Sequence, residues 1–434
     1  MLSHEEKVDR IAKQLKERKS TAPLSLKKKS VSHEVPKPNN KKYSDEKLDI
    51  KDLNDIIHID PDKMICIAEP GVTYVDLVNA TMKHNLVPIV VPELKTITIG
   101  GAVAGCSIES MSYKHGGFHD TCLEYEVITA KGEVLTCTPD SLLFQMMHGT
   151  FGTLGIISKL KFKLVPAKPF VKVVYEKYNT LKDYKSAIYS HYKKKDVDFM
   201  DGIIHSPTEW VLSIGTFVDK VPYTHNYDWM RIYYKSTATR KEDYLKTPDY
   251  FFRYNKGVTN VNPKSFLGRL FFGKISNSTR ALTFANKFHK IIPESAIPVT
   301  VDLFIPYSKV DEFFNWYDKE VNHYPLWCVP YKAHHKYEWL SDDFLSKTKG
   351  DFYLDIAIYG MKRKDGKNYY RTIEEGLMKV NGIKTLISTN YYSEKEFWTI
   401  WNKKNYDKIK RKTDPDNIFR GLYEKTCKAS RGLD

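Results

Sequence analysis

Apolar residues first recur at helical spacing over residues 4–19, where Val8, Ile11, Ala12 and Leu15 fall on one face of a predicted helix. Residues 20–47 are polar and rich in Pro and Lys, and read as a loop or linker. The apolar run 64–69 predicts a strand that ends at Pro70-Gly71. A helix is expected over 74–84, capped by Thr73 with Asp76 in its first turn, followed by a short strand over 86–91. Residues 125–130 and 133–138 flank Lys131-Gly132, a hairpin signature. Residues 155–165 alternate apolar and polar, as a half-buried strand should.

Pro166-Ala167-Lys168-Pro169 interrupts this pattern and marks a domain boundary. Beyond it lies an aromatic-rich region, 170–395, with strands predicted over 210–217 and 353–359 and a helix over 309–321. The tail is helical over 397–419, with a turn at Asp414-Pro415-Asp416-Asn417. No internal repeat is present. The expected order is an N-terminal helix (1–19), a first domain (20–169), a second (170–395) and a C-terminal segment (396–434).

Composition narrows the class. With 434 residues, 41% hydrophobic and 28% charged, the protein is long enough to bury more than one core. It has no apolar run near the roughly 18 residues of a membrane span, and residues 1–20 have no signal-peptide core. Six cysteines without a CxxC pair read as free thiols in a reducing compartment, so a cytoplasmic setting is expected. The net charge of +15 is partly local: residues 1–43 hold 12 Lys/Arg against 5 Asp/Glu, densest at Lys27-Lys28-Lys29. Such a patch fits nucleic acid, an anionic membrane surface or a lysine-rich composition alike. No nucleic-acid module accompanies it, which disfavours the first.

Two glycine arrays carry the candidate chemistry. One is Thr98-Ile99-Gly100-Gly101-Ala102-Val103-Ala104-Gly105-Cys106-Ser107-Ile108-Glu109-Ser110, followed by Tyr113-Lys114-His115-Gly116. The other is His148-Gly149-Thr150-Phe151-Gly152-Thr153-Leu154-Gly155-Ile156. Glycines so dense let backbone N–H groups approach phosphate oxygens, and equally make tight turns. Neither array matches the Rossmann or P-loop pattern. Two such loops fit one extended ligand with a diphosphate and a flat ring. His115 and His119 have metal-pair spacing, but Gly116-Gly117 between them argues against the helix required, and no metal is expected.

The collinear blocks Val91-Pro92-Glu93-Leu94, 98–110, Tyr125-Glu126, Gly152-Thr153-Leu154-Gly155, Tyr324-Pro325-Leu326-Trp327, Tyr353-Leu354-Asp355-Ile356 and Glu396-Phe397-Trp398 resemble the delta(24)-sterol reductase family. That family lies within the FAD-binding superfamily that includes vanillyl-alcohol oxidase. The resemblance implies an α+β fold: a PCMH-type FAD-binding domain of two α+β subdomains, to which the C-terminal segment 396–434 returns, and an antiparallel-sheet substrate cap. It implies FAD held non-covalently, with NADPH as reductant and an alkene in the aliphatic tail of a sterol as substrate. Cofactor contacts would come from Thr98, Ile99, Gly100, Gly101, Ala102, Gly105, Cys106, Ser107, Ile108, Glu109 and Ser110, from His115 and Gly116, and from Gly152, Thr153, Leu154, Gly155 and Ile156.

The sequence departs from the family pattern in places. Ser107 stands where a second glycine is usual, and the first cofactor loop, near Lys29-Ser30-Val31-Ser32, lacks the family's Arg-Pro-Gly-Trp. His33 lies where some superfamily members tether FAD. No stretch of the sequence has the character of the family's N-terminal membrane span, so any membrane contact would be peripheral, through the basic residues 27–29 and anionic lipid.

An isolated alkene has no carbonyl to polarise it, so its reduction calls for an acid beside it and exclusion of water. Candidate acids are Asp355 and Tyr359, four apart and so on one face of a strand, and Tyr391. Each also reads as an ordinary core or ion-paired residue, with Arg253 as the cation opposite Asp355. Two other functions stay open: a flavin oxidase of a sugar alcohol or lactone, and a flavin-binding protein without the ancestral activity.

Overall fold

The computed structural model describes residues 2–30, 33–35, 37, 40–257, 280, 283–284, 287–288, 297–363 and 366–433. Val31 and Ser32 of the expected first cofactor loop lie outside them. Helix α1 (His4–Lys16) starts at a reciprocal cap between Ser3 and Glu6, and buries Val8, Ile11, Ala12 and Leu15. Those residues share a small core with Leu24, Leu48, Ile128, Ile156, Ile418 and Phe419. The two ends of the chain therefore pack together. Segment 20–47 is not a plain linker: β1 (Leu24–Lys27) and β2 (Glu46–Asp49) pair in parallel. Their polar outer faces hid this, because in β2 only Leu48 is buried.

The first large sheet uses β3 (Ile56–Asp60), β4 (Ile65–Ala68), β5 (Leu86–Pro88), β6 (Cys122–Ile128), β7 (Val134–Cys137) and β8 (Ile156–Pro166). It runs β3-β4-β8-β6-β7, with β5 also on β8, and every pairing is antiparallel. β6 and β7 are the expected hairpin, turning through Gly132 at φ +73°. A Cβ at Gly132 would strike the Ala12 carbonyl of α1, so the turn doubles as the seat of that helix. Helix α2 (Tyr74–Thr81) carries the Thr73 cap and Asp76 as expected.

After Pro166-Ala167-Lys168-Pro169 the backbone enters an eight-stranded sheet. Its strands are β9 (Phe170–Tyr178), β10 (Phe199–Ser206), β11 (Glu209–Val218), β12 (Glu242–Lys246), β13 (Val299–Pro306), β14 (Leu326–Lys332), β15 (Phe352–Met361) and β16 (Ile383–Lys384). The order is β12-β9-β11-β10-β14-β15-β13-β16, antiparallel throughout. One face buries residues such as Leu303, Leu354 and Ile356 in a core shared with helices Leu181–Lys194, Val310–Glu320 and Tyr369–Lys379. The alternate residues, among them Trp327, Val329, Tyr331, Tyr353 and Ala357, join the core of the first sheet instead. The architecture is α+β, and the site lies where the two sheets face each other.

The tail departs from one continuous helix. Helices Glu394–Ile400 and Lys403–Thr413 are separated because Trp401 is extended and Asn402 caps the second helix, accepting from Asn405 N at 3.1 Å. Among the described residues, no helix is long and apolar enough to cross a membrane.

Candidate functional site

The first glycine array folds into a short helix, α3 (Ile99–Ala104), capped by Thr98 Oγ1, which accepts from Gly101 N at 3.3 Å. Gly100 is needed for close approach: a Cβ there would lie 2.5 Å from Pro70 Cβ. After the helix the backbone turns through Cys106, at φ +53°. The left-handed residue is thus Cys106, and Ser107 adopts ordinary backbone angles, so a serine there carries no conformational penalty. The second array winds through Gly149, Phe151, Gly152 and Gly155, all at positive φ. A bulky Phe151 at φ +52° is strained in isolation and is held by its surroundings. Lys425 Nζ donates to its carbonyl at 2.5 Å.

Both arrays open onto a cavity of about 600 Å³, in the range of roughly 300–1,000 Å³ usual for cofactor sites. Thr98, Gly100, Gly101, Gly105, Cys106, Ser107 and Ile108 line it from one side, and Gly152, Gly155 and Ile156 from another. One end is basic, lined by Lys28, Lys29, Lys42, Lys47, Lys51 and Lys425. Burial pushes the Lys425 ammonium down to about 8, with Glu34 opposing the shift and Lys42 and Lys28 adding to it. Burial pushes Glu34 up, but Lys42, Lys37 and Lys425 together hold it well below the usual carboxylate range. Backbone N–H groups without side chains over them, beside six lysines, are a donor set for a diphosphate. The residues fit a dinucleotide such as FAD. Lys28 and Lys29, read from sequence as a membrane patch, face this cavity.

The opposite end is acidic and belongs to the large sheet. Asp302 and Phe304 of β13, Trp327 of β14, and Asp355 and Tyr359 of β15 line it, with Glu93 from the loop before α3. Tyr359 O–H donates to Asp302 Oδ1, and Thr385 Oγ1 donates to Oδ2 at 3.3 Å. Asp355 is 1% exposed, and among the described residues its Oδ1 has no hydrogen-bond partner. Burial, then the neighbouring Asp302 charge, pushes its carboxyl well above the ordinary range, against a smaller opposing effect of the Leu303 backbone N–H. Burial pushes Glu93 up to about 8.

A second chamber of about 400 Å³ adjoins the first. Gly105, Cys106, Ile108, Phe151, Phe304 and Thr385 line both. Its walls are largely aromatic and aliphatic, including Tyr353, Trp339, Leu340, Leu345 and Trp401. Its wall also holds polar groups, among them Tyr331, whose O–H meets Tyr337 O–H, and Tyr337, which donates to Asp120 Oδ2 at 2.9 Å. Burial would raise Asp120, but His119, His335, Gly117 N–H and Tyr337 hold it down at about 2. His334 and His335 are exposed and also line this chamber.

Other predicted residues lie behind the cavity walls. Ile99, Ala102 and Leu154 are core residues, and Thr153 is buried with its hydroxyl on the Thr150 carbonyl. Glu109 turns away from the cavity to Arg253, whose Nη2 is 3.2 Å from Glu109 Oε1 and 3.0 Å from Asp201 Oδ1. Arg253 is therefore not the partner of Asp355, since these two acids occupy it. Ser110 lies beside Glu109, with its hydroxyl on that carboxylate. His115 and Gly116 end the short helix Ser112–His115, away from either chamber. Tyr391 lines neither chamber, and its backbone N–H donates to Glu374. His33 does line the cavity, with Nε2 3.2 Å from Thr96 Oγ1. Burial takes its imidazole down to about 4. Among the described residues no His, Cys, Asp or Glu cluster is arranged to hold a metal.

Sequence reasoning missed Asp302, Glu93 and the lysines of β2 and the tail. Asp302 left a readable trace: it is the one charge in the apolar run Val299–Pro306.

Residues 5–138 match the FAD binding domain family. The protein is 27% identical over 419 residues to a Delta(24)-sterol reductase homolog of Caenorhabditis elegans, covering 87% of this chain and 78% of that protein. It is 26% identical over 407 residues to the Delta(24)-sterol reductase of Homo sapiens, covering 87% and 77%. With the Delta(24)-sterol reductase of Pisum sativum the figures are 26% over 491 residues, 99% and 85%.

Proposed function

We infer that this protein, a flavoprotein related along most of its length to the Delta(24)-sterol reductases, is an FAD-dependent oxidoreductase that uses NADPH to saturate an alkene in the aliphatic tail of a sterol. The observation that carries the chemistry is the acidic end of the cavity. A buried carboxyl with an unpartnered Oδ1, Asp355, sits beside the junction with an apolar chamber.

FAD, when bound, supplies the hydride acceptor and donor through which reducing equivalents pass. The lysine end and the glycine loops hold its diphosphate, and Gly152 leaves room for the ring, since a Cβ there would meet nothing closer than 3.9 Å. The aromatic chamber takes the sterol and keeps water from the alkene. Phe304, common to both spaces, orients the sterol tail, while Asp355 holds a proton at its carboxyl for the less substituted alkene carbon. Tyr359 secures Asp302 and is not itself the donor, because its hydroxyl hydrogen is already given to that carboxylate.

The test is anaerobic mixing of FAD-loaded protein with NADPH, followed at the flavin absorbance. Bleaching that reverses on adding desmosterol supports the reading. Turnover linked to oxygen without NADPH would replace it with an oxidase, and FAD that NADPH leaves oxidised would point to a flavin-binding protein without the ancestral activity.

A further inference from the structure

Two carboxyl groups of the acidic end lie on neighbouring strands and differ sharply in their hydrogen bonding. β13 and β15 pair so that Phe304 stands opposite Asp355, Asp302 opposite Ala357 and Thr300 opposite Tyr359. Asp302 is therefore diagonal to both Asp355 and Tyr359 on one face of the sheet. It receives two hydroxyl donors, Tyr359 and Thr385. Among the described residues, the Oδ1 of Asp355 receives none.

Donors stabilise a carboxylate anion, and a buried carboxyl without them favours its proton. Two acids so placed, away from water, carry a single negative charge between them. We propose that Asp302 and Asp355 act as one unit, Asp302 keeping the charge and so holding the proton on Asp355, which makes Asp302 a positioning residue for proton delivery. Of the groups that act on Asp355, Asp302 and Glu93 disfavour a charge on it and the Leu303 backbone N–H favours one, with less effect than Asp302. Tyr359 and Cys328 are neutral acids beside it, and the nearby cation Arg253 is bound to Asp201 and Glu109.

In the catalytic cycle, a step that rests on the reductase reading, Asp355 gives its proton to one alkene carbon. The π pair forms that C–H bond, and the other carbon would take the hydride that FAD, held by the glycine loops and the lysine end, would supply. Asp355, now an anion beside a second anion, recovers a proton from water. Asp302 neither gains nor loses one.

Infrared difference spectroscopy of the protein in H2O and D2O reads the pair without turnover. A protonated-carboxyl band present at pH 7 should vanish in Asp355→Asn and remain in Asp302→Asn. In Asp302→Asn its titration midpoint should fall by at least one pH unit, a tenfold change in the protonated ratio. Thr385→Val, which removes one donor from Asp302 and leaves both acids in place, should move the midpoint the same way by less. It also covers the case in which Asp302→Asn does not fold. With sterol present, the alkaline limb of kcat should follow the midpoint while KM stays fixed. An unchanged midpoint in Asp302→Asn and Thr385→Val, or a band lost in Asp302→Asn but not in Asp355→Asn, overturns the pair. A shifted midpoint in a protein that never reduces a sterol would leave the pair standing and remove the reductase reading.

Discussion

Replacing Arg253 tests how the cofactor loop is tied to the large sheet. Its guanidinium is fully buried, 3.0 Å from Asp201 and 3.2 Å from Glu109, and lies 4.0 Å above the Tyr250 ring. Arg253→Met leaves two carboxylates without their cation, a change that costs about 3–5 kcal/mol for buried pairs. The lower figure applies here. Asp201 keeps donors from Tyr254 at 2.8 Å and Trp327 at 2.9 Å, and Glu109 keeps the Ser110 N–H and hydroxyl. Burial, partly offset by Arg253, already pushes Glu109 up, so it takes a proton readily once the arginine is gone. At about 1 °C per kcal/mol for a protein of 434 residues, a loss of about 3 kcal/mol lowers Tm by about 3 °C. Because Glu109 ends the Thr98–Ser110 loop and Asp201 holds the Trp327 ring at the cavity wall, FAD affinity should fall with it. Thermal unfolding and flavin titration read both effects. Arg253→Met/Glu109→Gln should recover at least about 1 kcal/mol relative to additivity. A single variant within about 1 °C of the parent, or an additive double variant, would refute the reasoning.

His4 bridges Glu69 at 2.9 Å and Glu126 at 2.8 Å, and these partners raise its imidazole from 6.5 to about 9. The contribution, on the order of 3 kcal/mol, is complete below pH 6.5 and is lost as pH rises through about 9; His4→Gln should remove that slope, and parallel Tm curves would count against it. Gly100→Ala should force α3 off Pro70, costing about 1–3 kcal/mol by overpacking, and the protein should purify without flavin; full flavin content would contradict the close approach. Lys425 loses its charge above about pH 8 in the ligand-free protein. FAD affinity should therefore weaken between about pH 7 and 9, and Lys425→Met should bind about tenfold more weakly with a flatter pH dependence. An equal pH slope in both proteins would exclude Lys425 as a phosphate partner.

What could be read from the sequence follows the range of the forces involved. α1 and β15 were legible because a single burial stripe or a run buried on both faces writes itself into local periodicity. β1 and β2 were not, since each is four residues long and their pairing joins segments some twenty residues apart. The glycine arrays pointed to a nucleotide cradle, yet which residues face it depends on how α3 is rotated. Ile99 and Ala102 belong to the core, while Gly100 and Gly101 reach the cavity. The partner of Arg253 was beyond local reading: Glu109 and Asp201 are 144 and 52 residues away in sequence and meet only when the two sheets do.

The placement of cations explains how one cavity can hold a basic and an acidic end without each neutralising the other. Ion pairing would fix the acids as anions if an uncommitted cation reached them. The buried cations near the large sheet are committed elsewhere. Arg253 is taken by Glu109 and Asp201, and Lys384 by Glu374 and the Thr389 carbonyl. The lysines lining the cavity belong to β2, the loops flanking β1 and β2, and the tail, and none to the large sheet. The lysines and the buried carboxyls thus come from different sheets and meet across one space. A flat ring with a charged handle would meet lysines at one end of that space and the buried carboxyls at the other. A single-sheet site of either sign could not offer both.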